Sequence, residues 1–174
     1  MNKFIIILSL LISQISLAQE DGSRGYRVKV GDQSPEIELS LMNGDQISSE
    51  SLKGKVVVLQ FTASWCGVCR KEMPHLEKEV WQRFKNDEFI LVAVDLKEKP
   101  EKVKPFIEKT GITYPVAIDE DGSLFESFTL PKAGVTRNIV LDKNGKIIFL
   151  SRLYDKVEFE KMISAIDKEL NKSI

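Results

Sequence analysis

Thiols and imidazoles are scarce in this chain: among 174 residues there are two cysteines and one histidine. That scarcity excludes a scaffold stapled by several disulfides, and it leaves a structural zinc site, which needs four ligands, without a second ligand pair. Charge of either sign is not in excess, with 25 Lys and Arg against 26 Asp and Glu. A near-neutral surface argues against nucleic acid or an anionic membrane as the principal partner. Long apolar runs are also missing: the longest largely apolar stretch, Phe4 to Leu17, has 14 residues, short of the ~20 that span a bilayer. No internal repeat, low-complexity tract or interdomain linker is visible.

That N-terminal stretch has the layout of a secretory signal. Met1-Asn2-Lys3 supplies a short positive region, and Ser16-Leu17-Ala18 offers small residues where a signal peptidase reads. We expect cleavage after Ala18, with residues 1–18 as signal peptide, 19–29 as a flexible leader and 30–174 as one domain. Lipid anchoring on cysteine is excluded, because no cysteine lies near the cleavage site. The mature 156 residues suffice for one domain with a full core, acting in the periplasm or otherwise outside the cytoplasm, where disulfides persist.

Both cysteines fall in Trp65-Cys66-Gly67-Val68-Cys69, directly after the β-branched run of Lys55 to Phe61. Two thiols three apart at a helix start can close a disulfide with little backbone movement, and the first meets the unsatisfied N–H groups of the helix, which lower a thiol pKa. A purely structural bridge across so short a loop would remove little chain entropy. Redox use of Cys66 and Cys69 is the reading these residues favour.

Alternation and turn signals give the remaining elements. Glu36 to Leu39 and Gln46 to Ser48 flank Asn43-Gly44 as a hairpin, and Lys55 to Phe61 and Phe89 to Asp95 read as buried strands. Cys69 to Lys85 reads as a helix that Pro74 should kink, and Pro100 to Lys109 as a short proline-opened helix. A small strand at Tyr114 to Ile118 and a brief helix through Phe128 precede a second hairpin, Asn138 to Asp142 with Lys146 to Ser151. Lys156 to Asn171 forms an amphipathic C-terminal helix. The order is an α/β sandwich on a mixed sheet.

The segment Gly54 to Pro74, G-K-V-V-V-L-Q-F-T-A-S-W-C-G-V-C-R-K-E-M-P, resembles the active-site segment of the TlpA-like thioredoxins, the extracytoplasmic branch that includes cytochrome c maturation reductases. The likeness runs from Ser34 to the final helix. It implies a thioredoxin-like three-layer sandwich with an N-terminal β-hairpin and a central insertion. It also implies a protein thiol-disulfide oxidoreductase without cofactor or metal, monomeric, that reduces protein disulfide clients and draws electrons from a membrane thiol donor. In that scheme Cys66 is the exposed nucleophile and Cys69 the buried resolving thiol.

Glu72 matches an acidic position of this branch associated with tuning the active site; a solvated helix residue is the alternative. Gln60 stands where cytoplasmic-type thioredoxins carry a buried aspartate, and an amide cannot serve as a base. Opposite the motif, Gly134-Val135-Thr136-Arg137 aligns with the loop that holds a cis-proline in thioredoxin-like proteins, with Thr136 in its place. We assign Trp65, Val135, Thr136 and Arg137 to partner binding. The Val135-Thr136 bond is expected to be trans, since a non-proline cis peptide costs about 3 kcal/mol. Arg137 is expected beside the loop, either stabilising the Cys66 thiolate or as an ordinary surface arginine. His75 is expected to face solvent and Trp81 to join the core.

A peroxiredoxin shares the implied fold, but its peroxidatic cysteine needs Thr or Ser three residues earlier and Pro seven earlier. Those positions are Ala63 and Leu59 for Cys66, and Cys66 and Thr62 for Cys69. A non-enzymatic binding module would leave W-C-x-x-C without a use.

Overall fold

In the computed structural model, residues 23–85 and 88–172 are described. The expected signal peptide, and the leader up to Gly22, lie outside the described residues. Strand β3 (Val56–Thr62) is buried at every position, which is why it reads as a continuous apolar run and not as an alternation. It pairs in parallel with β4 (Phe89–Leu96), which pairs in parallel with β5 (Val116–Asp119). On its other side β3 meets β6 (Arg137–Leu141), itself paired with β7 (Ile147–Arg152), both antiparallel. The sheet order is β5-β4-β3-β6-β7, and a separate antiparallel hairpin joins β1 (Glu38–Ser40) to β2 (Gln46–Ser48).

Because side chains alternate across a strand, β3 feeds two cores. Val56 and Val58 pack with Met73, Leu76 and Val80 from the first helix and with Phe159, Met162 and Ile166 from the last. Val57, Leu59 and Phe61 face the other way, toward Leu39 and Ile47 of the hairpin and Phe125 and Phe128 of a short helix. This is the α/β sandwich on a mixed sheet expected from the element order, with the N-terminal hairpin and thioredoxin-like layers that the resemblance implied.

The first helix, α1 (Gly67–His75), contains Pro74 and passes into a π-helical segment, Leu76–Trp81, before a last α-helical turn, α2 (Gln82–Phe84). The irregularity expected near Pro74 thus takes the form of a widened turn. Helix α3 (Pro100–Thr110) begins on proline and ends at Gly111, whose φ of 70° is the left-handed conformation glycine adopts at helix ends. Helix α4 (Ser123–Phe128) follows β5, and α5 (Lys156–Leu170) is capped by Asp155, whose side chain accepts from the Glu158 N–H at 2.9 Å. Among the described residues no helix is long and apolar enough to cross a membrane.

From residue 23 onward the expected leader is not loose. Tyr26 is buried, its hydroxyl donates to the Ser151 carbonyl at 2.5 Å, and Arg24 pairs with Glu158 on α5. A single aromatic anchor has no periodicity, so pattern reading passes over it.

Candidate active site

Cys66 is the N-cap of α1. Its backbone is extended, and its Sγ accepts the N–H of Cys69 at 3.1 Å. Strand β3 ends four residues earlier, so the apolar run delivers the chain to the surface at the point where the helix starts with its N–H groups free. The two cysteines form a disulfide with Cα atoms 5.3 Å apart. Cys69, one turn in, is fully buried, and Cys66 is 7% exposed; the outer sulfur is therefore less open than the word exposed implies. Trp65 beside it is 64% exposed.

The loop before β6 closes over the pair. Thr136 is fully buried, with Oγ1 3.3 Å from Cys66 Sγ and 2.9 Å from Cys69 Sγ. Val135 and Val68 pack against the small cluster formed by Ala63, Cys66 and Cys69. Contrary to expectation, the Val135-Thr136 peptide is cis. The expectation used the cost of an isolated peptide, whereas this one is held on both sides. The Thr136 carbonyl accepts the Leu153 N–H at 3.0 Å, and the Gly134 carbonyl accepts Arg137 Nε at 2.8 Å.

Arg137 also corrects its expectation. It lies opposite Phe61 in the β3-β6 register, and its side chain is buried beneath the N-terminal segment. The guanidinium sits 4.5 Å from the centre of the Tyr26 ring and donates to the Arg24 carbonyl at 3.0 Å. Asn138, the next residue, points to the α1 side, as strand alternation requires. Arg137 is thus neither a surface arginine nor, among its hydrogen bonds, a partner of either sulfur.

Beneath α1 lies a connected polar group. Glu72 is buried and accepts Asn138 Nδ2 at 2.7 Å and Gln60 Nε2 at 3.2 Å. Gln60 Oε1 accepts the Tyr114 hydroxyl at 2.8 Å, and Asn138 Nδ2 also reaches Ser151 Oγ at 3.1 Å. Burial pushes the Glu72 carboxyl up to about 7, against the pull of its two amide donors. The solvated reading of Glu72 is removed by its burial. Asp95, at the top of β4 opposite Thr62, is buried too, and burial followed by the nearby Glu98 raises it to about 7. Glu98 in turn accepts the Ser64 N–H and hydroxyl, at 2.5 and 2.7 Å, two residues before Cys66.

His75 is exposed, stacked on Tyr154 and hydrogen-bonded to Glu79. Trp81 is only partly buried at the rim of the core, its indole N–H donating to Thr113 Oγ1 at 3.1 Å. Sequence reading missed Asn138, Tyr114 and Asp95. A polar residue inside an otherwise apolar strand was the available signal for Asn138 and Asp95; Tyr114 carried none. Among the described residues, no three of His, Cys, Asp or Glu gather as a metal site.

A dithiol pair at the head of the first helix, over a five-stranded mixed sheet, places the protein in the class of thiol-disulfide oxidoreductases with a thioredoxin fold. Residues 29–170 match the Redoxin family model, and the chain belongs to that family. The thiol-disulfide oxidoreductase ResA of Bacillus cereus is 29% identical over 147 residues, covering 83% of each chain. Thioredoxin-like protein YneN of Bacillus subtilis is 35% identical over 122 residues, 67% of this chain and 71% of its own. A solution structure from Bacteroides thetaiotaomicron, named as a candidate protein disulfide isomerase, superposes with a TM-score of 0.82 at 45% identity, covering 85% of this chain and 94% of that one. These relatives bear out the TlpA-like resemblance of the Gly54 to Pro74 segment.

Proposed function

We propose that the protein is an exported reductase of protein disulfides. The Cys66 thiolate attacks a client disulfide, forming a Cys66–client mixed disulfide and releasing one client thiolate. Cys69, once deprotonated, attacks Cys66 Sγ and releases the second, leaving Cys66–Cys69 oxidised and the client reduced by two electrons. A membrane dithiol returns those electrons. Trp65 and Val135 form the client-contact rim, and Glu72, near-neutral in pKa, handles the proton of Cys69. The observation that carries this reading is the N-cap placement of Cys66, whose sulfur already accepts a helix N–H while Cys69 stays buried behind it.

Export is supported by the signal-like sequence of residues 1–18, and N-terminal sequencing of the protein recovered outside the cytoplasm tests it. The direction of electron flow is tested by equilibrating the pair against glutathione or dithiothreitol with thiol trapping. A potential near roughly −270 mV or below supports a reductase, and one near roughly −120 mV makes the protein a disulfide-forming oxidant. Cys66→Ser should abolish turnover; full activity in that variant would return the protein to the class of binding modules.

A further inference from the structure

Thr136 carries a hydroxyl that is fully buried and whose hydrogen-bond contacts are the two cysteine sulfurs, at 3.3 and 2.9 Å. We propose that Thr136 is a catalytic residue whose hydroxyl donates to the Cys66 thiolate in the reduced state, stabilising that state and setting the reactivity of the pair. The inference rests on Cys66 acting as the nucleophile.

The argument is one of unequal acceptors. In the disulfide neither sulfur carries a proton, so the hydroxyl is the sole donor of the trio and faces two weak acceptors. When the disulfide takes up two electrons and one proton from the reducing dithiol, Cys66 becomes a thiolate and Cys69 a thiol. The same hydroxyl then meets a charged acceptor, and charge-assisted hydrogen bonds are roughly twice as strong as neutral ones. Burial sharpens the difference, since water does not compete there. A hydroxyl can accept while it donates, so the Cys69 thiol can donate to Oγ1 as Oγ1–H donates to Cys66. The two sulfurs are then held in different protonation states by one side chain.

Alternatives for this hydroxyl are few. The Thr136 carbonyl is committed to Leu153. The cation that could have stabilised a thiolate, Arg137, is turned to the opposite face of the sheet. The helix N-terminus already supplies the Cys69 N–H to Cys66 Sγ, and Thr136 adds a second donor from across the cleft.

The test uses the mature protein with Thr136→Val, which keeps the shape and loses the hydroxyl, Thr136→Ala, and Thr136→Ser, which keeps it. The pH dependence of iodoacetamide alkylation reads the Cys66 pKa, and glutathione equilibration reads the stability of the reduced state. Val and Ala should each raise that pKa by about one unit and lower the equilibrium constant for reduction about tenfold, equivalent to about 30 mV toward more negative potential. Ser should stay near wild type. If Val does not fold, Ala against Ser decides. No shift in the hydroxyl-free variants, or equal shifts in all three, overturns the proposal. These are differences from wild type, so a wild-type potential that refutes the reductase reading leaves this test intact.

Discussion

The α1-facing side of the sheet has two rungs of opposite character. In the lower rung, Val58 of β3 pairs with Leu91 of β4 and Val140 of β6, all buried and all apolar. Two residues further along β3, Gln60 pairs with Ala93 and Asn138, then Thr62 with Asp95. The burial is the same; the chemistry is not. Below, each side chain stabilises the fold through area removed from water. Above, each buried polar group must find a partner, and what they assemble around is Glu72 and the mouth of the disulfide. Among the described residues, Asn138 Oδ1 and both Asp95 oxygens find no hydrogen-bond partner, a cost that lower-rung residues never carry.

This contrast can be pressed by substitution. Leu91→Ala, in the lower rung, should cost about 3 kcal/mol in urea unfolding and leave the glutathione equilibrium of the cysteines where it was; a shifted equilibrium would mean the two rungs are coupled.

Glu72→Gln acts on the upper rung through pH. The folded Glu72 binds its proton up to about 7, against an ordinary 4.5, so between those values the native state holds more protons than the unfolded one and stability falls as pH rises. At about 1.36 kcal/mol per unit, this is a decline on the order of 3 kcal/mol. Asp95 titrates over a similar range with the same sign. The Gln variant should therefore lose roughly half of the wild-type decline between pH 4.5 and 7, read from denaturation midpoints across that window. An unchanged slope would place the Glu72 pKa near its ordinary value.

Asn138→Leu removes the donor to Glu72 Oε1 and to Ser151 Oγ. We expect a loss of about 1–2 kcal/mol and an upward move of the Glu72 titration followed by carboxyl NMR. A downward move would show that Asn138 is not what holds the carboxylate. Smallest in stability is Trp65→Ala, within about 0.5 kcal/mol because the indole is exposed. Its effect should appear in the KM for a protein client, with turnover of a small disulfide unchanged.

Much of this was legible in the sequence, for reasons that differ by residue. Lys55 to Phe61 announced a strand covered on both faces, Asn43-Gly44 a hairpin, and Cys66-Gly67-Val68-Cys69 a redox pair, because each depends on local pattern alone. Glu72 was named but not placed, since helical position cannot say whether a carboxylate faces water or Asn138, 66 residues away. Arg137 was placed on the wrong side. Its alignment with a loop suggests either a cation beside the thiolate or a surface arginine, yet as the first residue of β6 it obeys strand alternation, is buried and finds Tyr26. The geometry of Thr136 depended on contacts with Leu153 and both cysteines, none of which a local cost includes.

The π-helical segment at Leu76–Trp81 has a consequence for how the first helix can be edited. Its last bond runs from the N–H of Gln82 to the Glu77 carbonyl, one residue longer than an α-helical bond. Each residue there turns the chain through a smaller angle, so the segment works as a phase adjuster between two fixed ends. One end must aim Glu72 at Asn138, and the other must aim Phe84 at Phe89. A single-residue deletion inside 76–81 can be absorbed by returning the widened turn to α-helical winding, which keeps both aims, whereas the same deletion in the regular helix before it would rotate one end by about 100° and sacrifice one of them. The widened turn is thus the one place between Cys69 and Phe84 where a residue can be lost, and the regular turns before it hold the phase of the site.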